Sequence, residues 1–193
     1  TTLAQVQAAF TRCRGNVVRV QEVLAAEHGL ALPYSTLTRW VRLAGLRAPA
    51  RRVGAYPLAP GEEMQHDTSA HRVPLAGNTV LAQCIALALG YSRWLFFAYA
   101  PRFTRFEAKA FFAEAFTAMD GTCARCVIDN TSVLVAAGAG PEATIAPEMA
   151  AFGRAYGVTF CPHRVGDPDR MARIERYFSY IERNFLAGRS FRD

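Results

Sequence analysis

Lysine is almost missing from this 193-residue chain: Lys109 stands alone beside 21 arginines. Also missing is an apolar run of the ~18 uncharged residues that a membrane span needs. The best stretch, Val80–Tyr99, is interrupted by Gln83, Gly90 and Arg93. The opening residues, TTLAQVQAAFTRCRG, have neither the basic start nor the apolar block of a secretory signal. No internal repeat or low-complexity tract is present. The five cysteines (Cys13, Cys84, Cys123, Cys126, Cys161) are odd in number and scattered, which argues for reduced thiols and against a disulfide framework. These absences exclude a spanning protein, a secreted disulfide scaffold and a repeat array. With 51% hydrophobic and 20% charged residues, a disordered chain is excluded as well. The composition predicts one globular domain with room for a small second module, in the cytoplasm. The start without methionine and the end at SFRD, inside a polar stretch, predict a fragment of a longer protein.

The net charge of +6 is unevenly placed. Residues 1–53 hold eight arginines (12, 14, 19, 39, 42, 47, 51 and 52) against Glu22 and Glu27, so the whole excess lies there and the remainder is neutral. The planar fork of arginine suits bidentate phosphate contacts, and a basic module on a neutral body predicts a nucleic-acid-binding arm.

Helical spacing appears three times in residues 1–46. Leu3, Val6, Ala9 and Phe10 share one face, and Val17, Val20, Val23 and Leu24 share another, with Asn16 as cap and Gly29 as stop. Ser35 is the expected cap of a third helix, Thr36–Leu43, with Leu37, Trp40 and Val41 inward and Thr38, Arg39 and Arg42 outward. The pattern resembles a helix-turn-helix, whose last helix enters the DNA major groove. The stretch 47–62, rich in Pro, Gly and Arg and including Arg51 and Arg52, reads as a basic linker. From residue 63 to 193 the pattern changes to strands at 64–73, 80–89 and 92–99 around a Gly77-Asn78 turn. A capping box at Thr104–Glu107 then opens a helix with Phe106, Ala110, Ala113, Phe116 and Met119 inward. A strand ending in Asp129, a helix from Pro147 to Gly157, a strand over 158–165 and a helix from Asp167-Pro168 follow. The stripe of that last helix is Ile174, Phe178, Ile181 and Phe185. The order β-β-β-α-β-α-β-α predicts an α/β fold with a hairpin-built mixed sheet and crossover helices.

Three carboxylates stand out. Asp67 lies inside the first strand, where Asp is disfavoured and an unpaired charge is costly to bury. Asp129 ends the fourth strand at the carboxyl edge, where open α/β sheets place ligands. Glu175 lies beside the apolar stripe of the last helix. If the first and fourth strands are neighbours, the aspartates meet, and a helix on that face adds the glutamate. Three hard oxygen donors suit Mg²⁺ or Mn²⁺. Two such ions about 4 Å apart are the usual device for cutting and joining phosphodiesters. Taken singly, Asp129 also fits a turn cap and Glu175 a solvated helix residue.

The segments PGEEMQHDTS, LGYSRWLFF, PRFTRFEAKAFF, CVIDNTSV, IAPEMAAF and HRVGDPDR…RIER…NFLAGRSFRD resemble the IstA-type insertion-sequence transposases. These are DDE recombinases of the retroviral integrase superfamily, with a ribonuclease H-like catalytic domain. The similarity is dense from about residue 60 onward and looser over the N-terminal helices. It implies a ribonuclease H-like five-stranded mixed sheet behind a helix-turn-helix domain. Catalytic and metal-ligating roles fall to Asp67, Asp129 and Glu175, with two Mg²⁺ or Mn²⁺ ions per site. Further implications are 3′-end cleavage and strand transfer of an insertion sequence, DNA ends and target as partners, a homo-oligomer on DNA, an AAA+ helper ATPase of the IstB type, and a bacterial, nucleoid-associated setting. Expected DNA contacts are Thr38, Arg39, Arg42, Arg51, Arg52, Arg170 and Arg173. Met171-Ala172 stands where many relatives carry Lys-Gly, which removes one expected phosphate contact and leaves the carboxylates untouched. Two rivals stay open: a DNA-binding regulator that kept the fold without catalysis, and a structure-specific nuclease.

Four other features are set aside. Cys123-x-x-Cys126 with Cys161-x-His163 falls in apolar strand text, poor ground for a zinc site. His66 alternates to the face opposite Asp67 and reads as structural, whereas His163 lies at the carboxyl edge near substrate. The aromatic run Tyr91–Tyr99 reads as core. The glycine loop VAAGAGPEA, without the Lys-Ser/Thr of a P-loop, reads as flexible and not as an ATP site.

Overall fold

The computed structural model describes residues 2–47, 58–163 and 168–192, without the side chains of 168–173. Near the N-terminus, the Asn16 carboxamide accepts hydrogen bonds from the Val18 and Arg19 amides, satisfying donors at a helix start that have no intrahelical partner. Gly29 closes the same helix in the left-handed region at φ 63°. Three helices result: α1 (Thr2–Arg12), α2 (Val17–His28) and α3 (Tyr34–Leu43). They bury Val6, Ala9, Cys13, Val17, Val20, Val23, Leu24, Leu37 and Val41 in one core. Two expectations fail here. Leu3 is half exposed. Ser35 does not cap α3, which starts two residues earlier, after Pro33, and has no side-chain cap, the Thr36 and Leu37 amides bonding instead to the Pro33 carbonyl.

The chain forms two compact units, Thr1–Ala55 with Val73–Val80 and Ser179–Asp193, and Tyr56–Arg72 with Leu81–Phe178. The first thus takes in two segments from beyond residue 63. Inside it, Arg19 is only 8% exposed and donates from Nε and Nη2 to the Asn184 carbonyl at 3.2 and 3.1 Å, while pairing with Glu22. Asn16 Nδ2 donates to the Arg183 carbonyl and to Asn184 Oδ1, and Arg14 pairs with Glu182.

The main sheet begins with a hairpin of β1 (Glu63–Leu75) and β2 (Asn78–Leu89). Its two-residue turn is Ala76-Gly77, not Gly77-Asn78. Both residues have positive φ, 49° and 77°, as a type I′ turn requires. The third strand, β3 (Leu95–Ala100), pairs antiparallel with β2 and starts three residues later than expected, because residues 90–94 turn. The capping box holds: the Thr104 amide donates to Glu107, and Thr104 opens α4 (Arg105–Met119). Then come β4 (Arg125–Ile128), a small antiparallel pair β5 (Val135–Ala137) and β6 (Thr144–Ile145), α5 (Pro147–Tyr156), β7 (Thr159–Pro162) and α6 (Pro168–Ile181). A π-helical turn, Glu182–Leu186, follows α6. The stretch read as a flexible glycine loop therefore carries β5 and a 3₁₀ turn at Gly140–Glu142, with β6 directly after it. Strand order in the five-stranded sheet is β3-β2-β1-β4-β7, with β4 parallel to both β1 and β7.

The inward face of α4 differs from expectation. Phe106 is 74% exposed, and Ala108, Phe111, Phe112, Ala115 and Phe116 are buried. Apolar residues surround this helix, so two stripes compete, and the one carrying the Phe111-Phe112 doublet removes more area from water. It packs with Met64, Ile85, Leu87, Cys126, Ile128, Met149 and Phe160 on one face of the sheet. The aromatic run is not fully buried either: Tyr91 and Trp94 are exposed, while Phe96 packs on the core margin. In α6, Ile174, Phe178 and Ile181 are buried, and in the π-helical turn Phe185 is half-buried. Among the described residues, no helix is long and apolar enough to cross a membrane.

Candidate active site

Strand register brings two of the three carboxylates together. The parallel pairing of β1 and β4 runs Glu63↔Arg125, Met64↔Cys126, Gln65↔Val127. The same offset carried two residues further sets Asp67 opposite Asp129, just past the end of β4. Aligned residues of parallel neighbours share a face. That face is the one away from α4, because His66, the neighbour of Asp67, points into α4 and stacks among Phe103, Phe111 and Phe112. On the far side of β4, Ile128 pairs with Pro162 and the His163 amide donates to the Ile128 carbonyl at 2.8 Å. His163 therefore lies beside Asp129 at the carboxyl edge.

The third carboxylate acts on the first through space. Burial pushes the Asp67 carboxyl up to about 6 from an ordinary 3.8, the Thr68 amide bond opposes this, and the charges of Asp129 and Glu175 raise it further. Asp67 is partly buried, and Asp129 and Glu175 are exposed. Among the described residues no three acidic, histidine or cysteine side chains stand close enough to enclose a metal ion. The donor set itself fits a hard dication. All three groups are carboxylates, and the charges of Asp129 and Glu175 raise the proton affinity of Asp67, so a bound cation relieves that repulsion.

Asn130 was not singled out in the sequence, although it directly follows the strand-ending aspartate. Its Nδ2 donates to the His163 carbonyl at 3.0 Å and its Oδ1 accepts from the Gly140 amide at 2.8 Å. One side chain thus ties the end of β4 to the end of β7 and to the following loop. Arg105 fastens that loop from the start of α4 by donating from Nε to the Val133 carbonyl at 3.2 Å.

The expected DNA contacts fall into two groups. Arg39 and Arg42 are exposed on α3, and neither forms an ion pair or hydrogen bond among the described residues; Thr38 is half-buried and donates to the Ser35 carbonyl at 2.9 Å. Arg51 and Arg52 lie outside the described residues, and Arg170 and Arg173 lie on α6 with side chains outside them. Of the other N-terminal arginines, Arg12, Arg14 and Arg19 are paired with Glu27, Glu182 and Glu22.

The fold recurs in solved structures. One is the HTLV-2 integrase catalytic core domain in complex with magnesium, dimeric form: TM-score 0.50, 14% identity, 65% of this chain and 70% of that one. The fold is ribonuclease H-like. A chain of the simian T-cell lymphotropic virus intasome, solved in complex with PP2A regulatory subunit B56 gamma, matches at TM-score 0.51 with 14% identity. That match covers 85% of this chain and 58% of that one. Among curated proteins, the chain is 27% identical over 178 residues to "Putative transposase Rv3428c" of Mycobacterium tuberculosis. It spans 43% of the length of that relative, while 89% of this chain is aligned. No protein-family model matches the chain.

Proposed function

We propose that this integrase-like core belongs to a DNA transposase of the DDE type, resembling IstA. Its reactions are hydrolysis that exposes 3′-hydroxyls at the ends of an insertion sequence, then attack of those hydroxyls on target DNA. The observation that carries this reading is the meeting of Asp67 and Asp129 by register, with Glu175 in electrostatic reach, at the carboxyl edge of a ribonuclease H-like sheet. The similarity to a transposase and to viral integrase folds supports it.

Asp67, Asp129 and Glu175 are the proposed ligands of Mg²⁺ or Mn²⁺, two ions per site. When bound, these ions activate the attacking oxygen and stabilise the leaving one. The protein holds the carboxylates on three elements, β1, the end of β4 and α6, and Asn130 fixes the loop beside them. DNA is the proposed partner, with α1–α3 acting as a helix-turn-helix, the linker arginines Arg51 and Arg52 and the α6 residues Arg170 and Arg173 following the backbone, and two or more copies bridging two ends. The IstB-type helper rests on the sequence resemblance alone.

Asp129→Asn is expected to abolish metal-dependent cleavage of element-end DNA and to leave DNA affinity within about twofold, since only a ligand charge is lost. Parallel loss of cleavage and binding in a gel-shift and nicking assay would remove Asp129 from the site. Replacing both Arg39 and Arg42 with alanine is expected to flatten the plot of log affinity against log salt by about 1.8, two phosphates at 0.9 each. An unchanged slope would take α3 off the DNA.

Met171-Ala172, in place of the Lys-Gly of many relatives, keeps one other reading in view: a DNA-binding regulator without catalysis. Equal Mn²⁺ heats from the wild type and Asp67→Asn on a DNA complex would favour the regulator.

A further inference from the structure

The face of β1 that carries Asp67 carries a second polar residue. His71 lies four positions on, so the two-residue alternation of the strand keeps it on the same side of the sheet. It is 2% exposed. Its Nδ1 lies 2.9 Å from the hydroxyl of Tyr99 on β3, two strands away in the sheet and paired with Cys84 of the intervening β2. The ring of Phe178 on α6 meets the same imidazole edge-on, at 5.8 Å between centroids and 87° between planes. Edge-to-face contact of this kind favours a defined orientation as well as burial.

Phe178 is three residues beyond Glu175. Positions i and i+3 lie on one side of a helix, so the side chain that rests on His71 and the carboxylate that acts on Asp67 leave α6 in nearly the same direction. A second tie lies next to it, where the Tyr177 hydroxyl donates to the Arg93 carbonyl at 3.3 Å. Glu175 itself is exposed, so apolar burial does not fix its place. Its height along β1 and its angle toward Asp67 follow from how α6 is seated. The seat is polar at its base, where a leucine would fill similar space, and the hydrogen bond to Tyr99 restricts the plane that the imidazole presents to Phe178.

We propose that His71, held by Tyr99, is a positioning residue that seats Phe178 and so sets Glu175 against Asp67 and Asp129. The proposal rests on the reading of the three carboxylates as metal ligands.

A double-mutant cycle on Mn²⁺ affinity tests it, with titration calorimetry on the whole chain at a temperature where circular dichroism shows each variant folded. His71→Ala is expected to weaken Mn²⁺ about tenfold, the low end of the effect of residues that orient metal ligands. In a Glu175→Gln background the same substitution should change affinity less than twofold, because the group it positions is already gone. Tyr99→Phe, which keeps the ring and removes the hydroxyl, should show the same background dependence with a smaller loss, and it carries the test if His71→Ala does not fold. An equal factor in both backgrounds, or none in either, would overturn the positioning role, since a merely structural residue acts regardless of Glu175. If Glu175→Gln alone leaves Mn²⁺ affinity unchanged, the ligand reading of Glu175 fails first and the role of His71 falls with it.

Discussion

Asp67→Asn is expected to make the protein more stable at pH 7 while removing its proposed metal chemistry. The carboxyl titrates at about 6 in the fold against 3.8 ordinarily. The folded state therefore holds the proton more tightly than the unfolded chain. The stability associated with the protonated form is fully present below pH 3.8 and is lost as pH rises through about 6. A shift of that size corresponds to roughly 3 kcal/mol at pH 7. Asparagine keeps the shape without the charge, so urea denaturation should show the variant ahead by about 2–3 kcal/mol at pH 7 and level with the wild type near pH 4. Mn²⁺ should narrow the gap at pH 7, because a ligand at about 100 times its Kd stabilises by about 2.7 kcal/mol only the protein that binds it. A variant less stable than the wild type at pH 7 would mean that Asp67 is held by a compensating partner and is not strained by its neighbours.

The residues that made this site legible in the sequence were those whose local setting conflicts with their chemistry. An aspartate within a strand and another at a strand end need a reason, and the β1–β4 register supplies a common one. Turn and cap signals located the elements well, as at Asn16, Thr104 and Gly157, because they act within a few residues. What escaped depended on distant parts of the chain. Apolar residues all round α4 left its inward face undetermined until the sheet chose the Phe111-Phe112 side. Charge counting placed Arg14 and Arg19 in a nucleic-acid-binding arm and could not see their partners Glu182 and Asn184, 168 and 165 residues away. Asn130 did not stand out, because its two bonds to His163 and Gly140 appear only once β4 and β7 are side by side.

His66 is the counterpart of Asp67 on the other face of β1, and His66→Leu has the second large expected effect. The imidazole is 1% exposed among Phe103, Phe111 and Phe112, and neither ring nitrogen has a hydrogen-bond partner among the described residues. An unmet buried polar group costs about 1–3 kcal/mol, so a leucine of similar volume should stabilise the protein at pH 7 by about that amount. Burial also pushes the imidazole down to about 3 from an ordinary 6.5. Below pH 6.5 the unfolded chain takes up a proton that the fold refuses. Stability from the neutral ring is thus present above 6.5 and lost as pH falls toward 3, adding about 2 kcal/mol to the advantage of leucine by pH 5. This slope opposes that of Asp67 across the same pH range, so wild-type stability measured alone should vary little between pH 4 and 6. Denaturation of the two single variants separates the effects: the advantage of His66→Leu should grow as pH falls, and that of Asp67→Asn should shrink. Mn²⁺ affinity should survive His66→Leu, because the leucine faces α4 and not the carboxylates. A loss of affinity there would show that packing beneath the strand holds Asp67 in place.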